Sequence, residues 1–301
     1  MKKSKIKYRD PLMPKTSKIY GFIGIPVAIY VFIMIIPTFV ALFYSFFKWS
    51  GGPRKKFIGF ENYIRLFQDQ VFWDSLGNTL IFTLIMVIGQ IGIAFLFTMF
   101  FTMKWLKWVE FHRRVMYLPS IIAPVVIGLL WQIIYNQQYG LLNQILKALG
   151  LEHLIQPWLD DPKIALFSVC IPVIWQFVGY YLVIMMGAVA TIPKDVLEVA
   201  EIDGASGFQR TIYITIPMIW NTLKICLMMC IAGSLKAFDH IMVMTGGGPG
   251  RATTVVSLYN YETSFTQMKL GYANAMAVVI LVISMAITIG AKVLMGGKKH
   301  D

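Results

Sequence analysis

The stretch "TIPKDVLEVAEIDGASGFQRTIYITIPMI", Thr191 to Ile219, is polar and acidic, yet it stands between two long apolar runs. Ala165–Ala190 precedes it, and a second run from Ile216 to Met242 closes it. Each flanking run exceeds the about 20 residues a helix needs to cross the hydrocarbon core of a bilayer. The fold is therefore read as membrane spans, here joined by a short acidic helix. Pro193 suits its first turn, and Asp195 sits where the helix dipole favours negative charge. Val196, Val199 and Ala200 recur at helical spacing, and Gly204 is a natural stop. A helix of about ten residues is too short to be stable alone in water, so something must hold it.

The same pattern extends along the chain. Apolar blocks run through Ile19–Phe47, Leu76–Met103, Val115–Tyr135, Ala165–Ala190, Ile216–Met242 and Tyr272–Met295. The 301 residues are 57% hydrophobic and 14% charged, with mean hydropathy +0.65. A soluble domain carries roughly 25% charged residues, so this composition belongs to another class. The sequence predicts an all-α membrane protein with six transmembrane helices. The first block is too long for a cleaved signal peptide, contains Pro26 and Pro37, and has no small-residue cleavage site before "FYSFFKW". The expected organisation is a tail, first helix and loop over 1–75, a five-helix transmembrane domain over 76–291 with its polar loop at 191–216, and a tail over 292–301.

Six spans place both termini on one side. Sixteen of the 27 Lys and Arg fall there: in the tails, the loop holding Lys104, Lys107, Arg113 and Arg114, and the acidic loop. Nine fall on the opposite side. The richer side is expected to be cytoplasmic, giving a multi-pass protein with cytoplasmic termini. The cluster Arg54–Lys56 runs against that trend. Topology and anionic lipid account for the net charge of +12, and no aromatic–basic interleaving marks a nucleic-acid groove.

Little in the chain points to covalent chemistry. Cys170, Cys226 and Cys230 lie in apolar spans, and the last two share a helix face without a nearby His or carboxylate. They read as small packing residues rather than metal ligands. "GGGPGRATT", Gly246–Thr254, lacks the Lys-Ser/Thr ending and preceding strand of a phosphate loop. No catalytic residue, metal or cofactor is expected. Pro119, Pro124, Pro172 and Pro217 stand near span entrances, where neighbouring groups must satisfy the carbonyls they free. "FIGFENYIRLF" and "YGLLNQILKALG" read as short amphipathic segments along the membrane surface. Polar groups deep in spans four and five are costly unless they face a wet interior. Span four therefore offers Trp175, Gln176, Tyr180 and Tyr181, and span five Ser234, Lys236 and Asp239. Trp175, Gln176, Tyr180, Ser234 and Asp239 are the five foremost candidates for a solute path. Interface anchoring by Trp and Tyr, and an i,i+3 pair of Lys236 with Asp239, are the plainer roles weighed against it.

The acidic loop also carries a motif. "EVAEIDGASGFQRTIYITIPMI" resembles the Glu-Ala-Ala, Asp-Gly-Ala and closing Pro of permease subunits of ATP-binding cassette (ABC) importers. The matching positions are Glu198, Ala200, Asp203, Gly204, Ala205 and Pro217, with Val199 where that family has Ala. "FDHIMVMTGGGPGRATTVVSLYNYETSF", Phe238–Phe265, is similar to the segment before the last span of carbohydrate permeases, as is the following "GYANAMAVV". "LPSIIAPVVIGLLWQIIYNQQYGLLN" and "IPVIWQFVGYYLVIMMGAVATIP" extend the resemblance over about Leu76–Ala291.

That resemblance implies a type I ABC importer permease fold, with Glu198, Val199, Ala200, Asp203, Gly204 and Ala205 coupling the chain to an ATPase. The implied partners are a second homologous permease, a cytosolic ATP-binding cassette ATPase dimer, an extracellular or periplasmic solute-binding protein and a carbohydrate. The implied location is the cell (inner or plasma) membrane of a prokaryote. The chain itself is expected not to be an enzyme, ATP being bound and hydrolysed by the separate ATPase subunits. The resemblance also places substrate-lining positions near Val173, Gln176, Phe177, Tyr180, Cys230, Ser234 and Ala237. The alternative is a secondary transporter or channel working without an ATPase. It would need coupling carboxylates or His inside spans, and the first three spans contain none.

Overall fold

The computed structural model describes residues 16–102 and 107–296. The tail through residue 15, Lys104 and residues 297–301, all assigned to the basic-rich side, lie outside the described residues. In chain order the elements begin with α1 (Tyr20–Tyr44), a hairpin of β1 (Phe47–Trp49) and β2 (Lys55–Phe57), α2 (Glu61–Phe67) and α3 (Gln70–Phe101). Then come α4 (Val109–Ile121), α5 (Pro124–Ile134), α6 (Leu141–Ala148), α7 (Ala165–Ala190) and α8 (Lys194–Ile202). The chain closes with α9 (Gly207–Ser234), α10 (Asp239–Met244), α11 (Val256–Tyr261) and α12 (Leu270–Met295).

Helices α1, α3, α7, α9 and α12 are each long and apolar enough to cross a membrane. The expected third span, Val115–Tyr135, is not one straight helix: α4 and α5 meet at 98° and reach spanning length only as a pair. The break has a local cause. Pro124 pushes the residue before it out of the helical region, and Ile122 and Ala123 are extended, with ψ of 140° and 136°. Two other boundaries shift: the first span ends at Tyr44 rather than Phe47, and the fifth at Ser234 rather than Met242. The short hairpin, with Phe47 facing Phe57, Lys48 facing Lys56 and Trp49 facing Lys55, is an addition to the all-α expectation. Helices α3 and α12 run through the expected domain edges at 76 and 291.

Helix α7 is the axis of the bundle. Over half of its apolar window (56%) is buried against α3, α4, α9 and α10, whereas the window of α1 is 0% buried and that helix leans on α12. The crossing of α7 with α4 is close enough to require glycine. A Cβ on Gly179 would lie 1.9 Å from the Met116 carbonyl oxygen.

At the end of the bundle bearing the hairpin, Asp69 ties three helices together. One carboxylate oxygen caps α3, accepting from the Val71 and Phe72 N–H groups at 3.0 and 3.4 Å. The other accepts from the hydroxyls of Tyr259 and Tyr272 at 2.6 and 2.5 Å. Burial pushes the carboxyl up, but the hydrogen bonds to the charged form prevail and hold it below the usual range. Burial and the same carboxylate push the Tyr259 phenol up to about 12.

Candidate solute path and coupling loop

The interior is organised by carbonyls that proline has freed. Pro172 lies inside α7 and has no N–H to give Ser168 four residues back. Tyr135 supplies the missing donor, its hydroxyl lying 3.0 Å from the Ser168 oxygen. At the α4–α5 break the Ile122 carbonyl has left its helix, and the Gln176 side-chain amide donates to it at 2.8 Å. With its nitrogen so engaged, Gln176 turns its oxygen to His240 Nε2 at 2.7 Å. A carbonyl oxygen only accepts, so His240 carries its proton on Nε2 here.

Gln90 plays a comparable part on α3. It sits in a widened turn over Val87–Gly92, an insertion that re-aims side chains out of helical register. Its amide nitrogen reaches the Val173 carbonyl at 3.2 Å, and Cys230 Sγ donates to its oxygen at 3.4 Å. One buried amide thus bridges α3, α7 and α9.

Between these links lies a cavity of about 210 Å³. Phe82 and Gln90 line it from α3, Val173, Phe177 and Tyr181 from α7, Cys230, Gly233 and Ser234 from α9, Lys236 from the α9–α10 turn, and Asp239 and His240 from the start of α10. Aromatic faces, an amide, two hydroxyl-bearing side chains and both charge signs therefore meet in one chamber.

The five candidate path residues separate. Ser234 and Asp239 line the cavity. Gln176 is 1% exposed and stands behind it as the brace between Ile122 and His240. Tyr180 packs edge-on against Tyr181, and it is Tyr181 that faces the chamber. Trp175 turns the other way, into an apolar cleft among Ile93, Phe97 and Val115, 6.1 Å from the Trp131 ring. Lys236 and Asp239 are not a helical i,i+3 pair, because α9 ends at Ser234 and α10 starts at Asp239. Tyr181 and Lys236, offered by spans four and five in the sequence, do line the cavity, and Gln90 and His240 are polar lining residues that sequence reasoning missed. Gln90 is a lone amide in the middle of the block Leu76–Met103 and His240 stands near the end of the block Ile216–Met242, a signal that was present but unused.

At the opposite end, α8 is the helix expected from the acidic stretch. Asp195 lies in its first turn. Its end is a closed motif in which Ala205 N–H reaches the Ala200 carbonyl at 3.0 Å and Gly204 N–H the Glu201 carbonyl at 3.1 Å. Gly204 takes the left-handed conformation this requires, with φ of 75°. Ser206 then starts α9 with a reciprocal cap to Gln209. The expected apolar face of Val196, Val199 and Ala200 is divided. Ala200 is buried toward the bundle, while Val199 at 56% and Ile202 at 84% exposure point away from it, as does Phe208. Glu198 lines a groove of about 300 Å³ with Lys194, Leu197 and Arg210, in which Arg210 pairs with Glu201 at 3.4 Å. Asp203 and Ala205 flank Gly204 in the turn. Among the described residues no cluster of His, Cys, Asp and Glu could hold a metal ion, and the three cysteines are buried and free.

The chain is similar to known proteins in sequence and in fold. The chain is 36% identical over 267 residues to the probable ABC transporter permease protein YurN of Bacillus subtilis, covering 88% of this chain and 91% of that one. It is 33% identical to the sulfoquinovosyl glycerol transport system permease protein SmoG of Agrobacterium fabrum, over 87% and 85% of the two chains. The trehalose/maltose transport system permease protein MalF of Thermococcus litoralis is 30% identical over 95% and 94%. In fold, the chain superimposes with a TM-score of 0.81, at 22% identity, on a crystal structure of a bacterial ABC transporter that imports alginate, covering 93% of this chain and 95% of that one. Residues 103–296 match the family described as the binding-protein-dependent transport system inner membrane component, and the chain belongs to that family, as an ABC transporter permease.

Proposed function

We infer that this chain is one of two permease subunits of an ATP-driven sugar importer. The observation that carries this reading is the cavity, where Phe177 and Tyr181 present flat apolar faces beside Gln90, Ser234, Asp239 and His240. A sugar offers C–H faces and hydroxyls that both donate and accept, and this lining matches both. The names of the sulfoquinovosyl glycerol and trehalose/maltose relatives support the same class. At about 210 Å³ the chamber is smaller than the roughly 300–1,000 Å³ of typical ligand sites, so a second permease subunit completes the path.

The α8 end is cytoplasmic in this reading, with both termini, and the hairpin end receives the sugar from a solute-binding protein. Glu198, Val199, Asp203 and the Gly204 turn, with exposed Ile202 and Phe208, form the surface on which a cytosolic ATPase docks. Ala200 acts from beneath by holding α8 to the bundle.

The test is uptake of labelled sugars into proteoliposomes holding the complete transporter, with its binding protein outside and ATP inside. Uptake is expected to require both. Uptake that persists without ATP would overturn the coupling, and competition by amino acids but not by sugars would overturn the substrate class.

A further inference from the structure

The hairpin carries an unusual arrangement of charge. Lys48 and Lys56 are directly opposite on β1 and β2, a pairing that is destabilising when nothing neutralises it. Arg54 and Lys55 adjoin them, and all four side chains are exposed. Among the described residues none of the four has an ion-pair partner. Glu61 lines a groove with Lys48 but forms no ion pair with it, so the positive cluster is left without a direct ionic partner among the described residues.

Its surroundings place it at a particular level. Tyr44 ends the span α1 and stacks on Trp49 of β1, with ring centroids 4.4 Å apart. Lys55 Nζ lies 5.0 Å from the Tyr44 ring centre and 3.4 Å from its hydroxyl. Just beyond, α2 buries Asn62 and Leu66 and presents Phe60, Ile64 and Phe67 outward, at 67%, 59% and 59% exposure. Phe67 contacts Trp73 at the head of span α3. Spans α1 and α3 thus fix this unit at the membrane boundary. Aromatic rings at headgroup level, outward apolar side chains and adjacent lysines are the features of a segment lying in the interface of an anionic leaflet.

We propose that the β1–β2 hairpin and α2 form a binding site for anionic phospholipid. Arg54, Lys55, Lys56 and Lys48 hold the headgroup phosphates, while Phe60, Ile64 and Phe67 enter the acyl boundary. The lipid supplies the ionic partner that the opposed lysines lack. This also accounts for a basic cluster on the side where the distribution of basic residues disfavours one. The site does not depend on which sugar is carried.

The test uses the full chain, purified with its partner subunits, in nanodiscs of phosphatidylcholine containing a minority of phosphatidylglycerol. Native mass spectrometry reads the lipids retained. The wild type is expected to retain phosphatidylglycerol in preference to phosphatidylcholine. Combining Arg54→Gln, Lys55→Gln and Lys56→Gln should reduce that preference about tenfold or more, while Lys163→Gln at the same end leaves it unchanged. Equal retention by wild type and triple variant overturns the proposal. So does a variant that keeps its phosphatidylglycerol but loses the solute-binding protein, for the surface would then belong to a protein. Lys56→Gln alone separates lipid binding from misfolding. It should raise thermal stability in pure phosphatidylcholine by relieving the repulsion with Lys48, yet lower phosphatidylglycerol retention; a loss of stability there overturns the argument.

Discussion

His240 and Gln176 are 64 residues apart in sequence, and their side chains meet at 2.7 Å in the interior. Through the same amide Gln176 also holds the Ile122 carbonyl at the α4–α5 break. The glutamine therefore braces the break against the wall of the cavity. Gln176→Leu strands two buried polar groups, each costing about 1–3 kcal/mol when unsatisfied. Both the melting temperature in detergent and the uptake rate should fall. Lost uptake at unchanged stability would mean that Gln176 touches the solute directly.

Ser234 and Tyr181 line the cavity whereas Trp175 does not. Ser234→Ala and Tyr181→Phe should raise the KM for sugar uptake several-fold with subunit assembly intact. Trp175→Phe, in the apolar cleft, should leave KM near wild type. The reverse ranking would move the path to the other face of α7.

Gly204 has nothing within 4 Å of where a Cβ would stand, so the constraint on it is its φ of 75° and not crowding. Gly204→Ala should cost roughly 1–2 kcal/mol in the local turn. Gly204→Asn, which tolerates the left-handed region, should cost less. Substrate-stimulated ATP hydrolysis by the complex is the readout. Ala and Asn variants that are equally impaired would show that a side chain there obstructs the ATPase instead.

Asp69 gives a pH dependence with a definite sign. Its folded carboxyl lies below the unfolded value of about 3.9, so its contribution is complete above that value and is lost as pH falls through the folded one. Asp69→Asn weakens the cap and the tyrosine bonds at neutral pH. The difference in melting temperature between wild type and variant should be constant from pH 7 to about 5 and narrow below about 4. A difference that grows on acidification would assign the stabilisation to another group.

Orientation is open to direct labelling, because Cys170, Cys226 and Cys230 are buried. In intact cells an impermeant thiol reagent should reach Gln267→Cys and miss Ser206→Cys. The opposite pattern would invert the assignment of the cytoplasmic side.

Local chemistry was sufficient for the five unbroken spans and for the acidic helix with its glycine stop. Apolar blocks longer than a bilayer requires have few alternatives to spanning helices, and Gly204 acts through its own neighbouring backbone. Pro124 even marks where α5 begins. What the sequence left undecided is which way the side chains of the spans face. Helix α7 is apolar on all sides, so no periodicity distinguishes the interior from the lipid, and Trp175 and Gln176 are adjacent candidates with opposite fates. Their directions depend on α4 crossing at Gly179 and on α10 folding back to bring His240 to Gln176. The widened turn that aims Gln90 and the 98° bend between α4 and α5 are likewise properties of the packed bundle. A carbonyl freed by a break costs free energy until a donor from a distant segment reaches it, and only the tertiary structure determines which donor arrives.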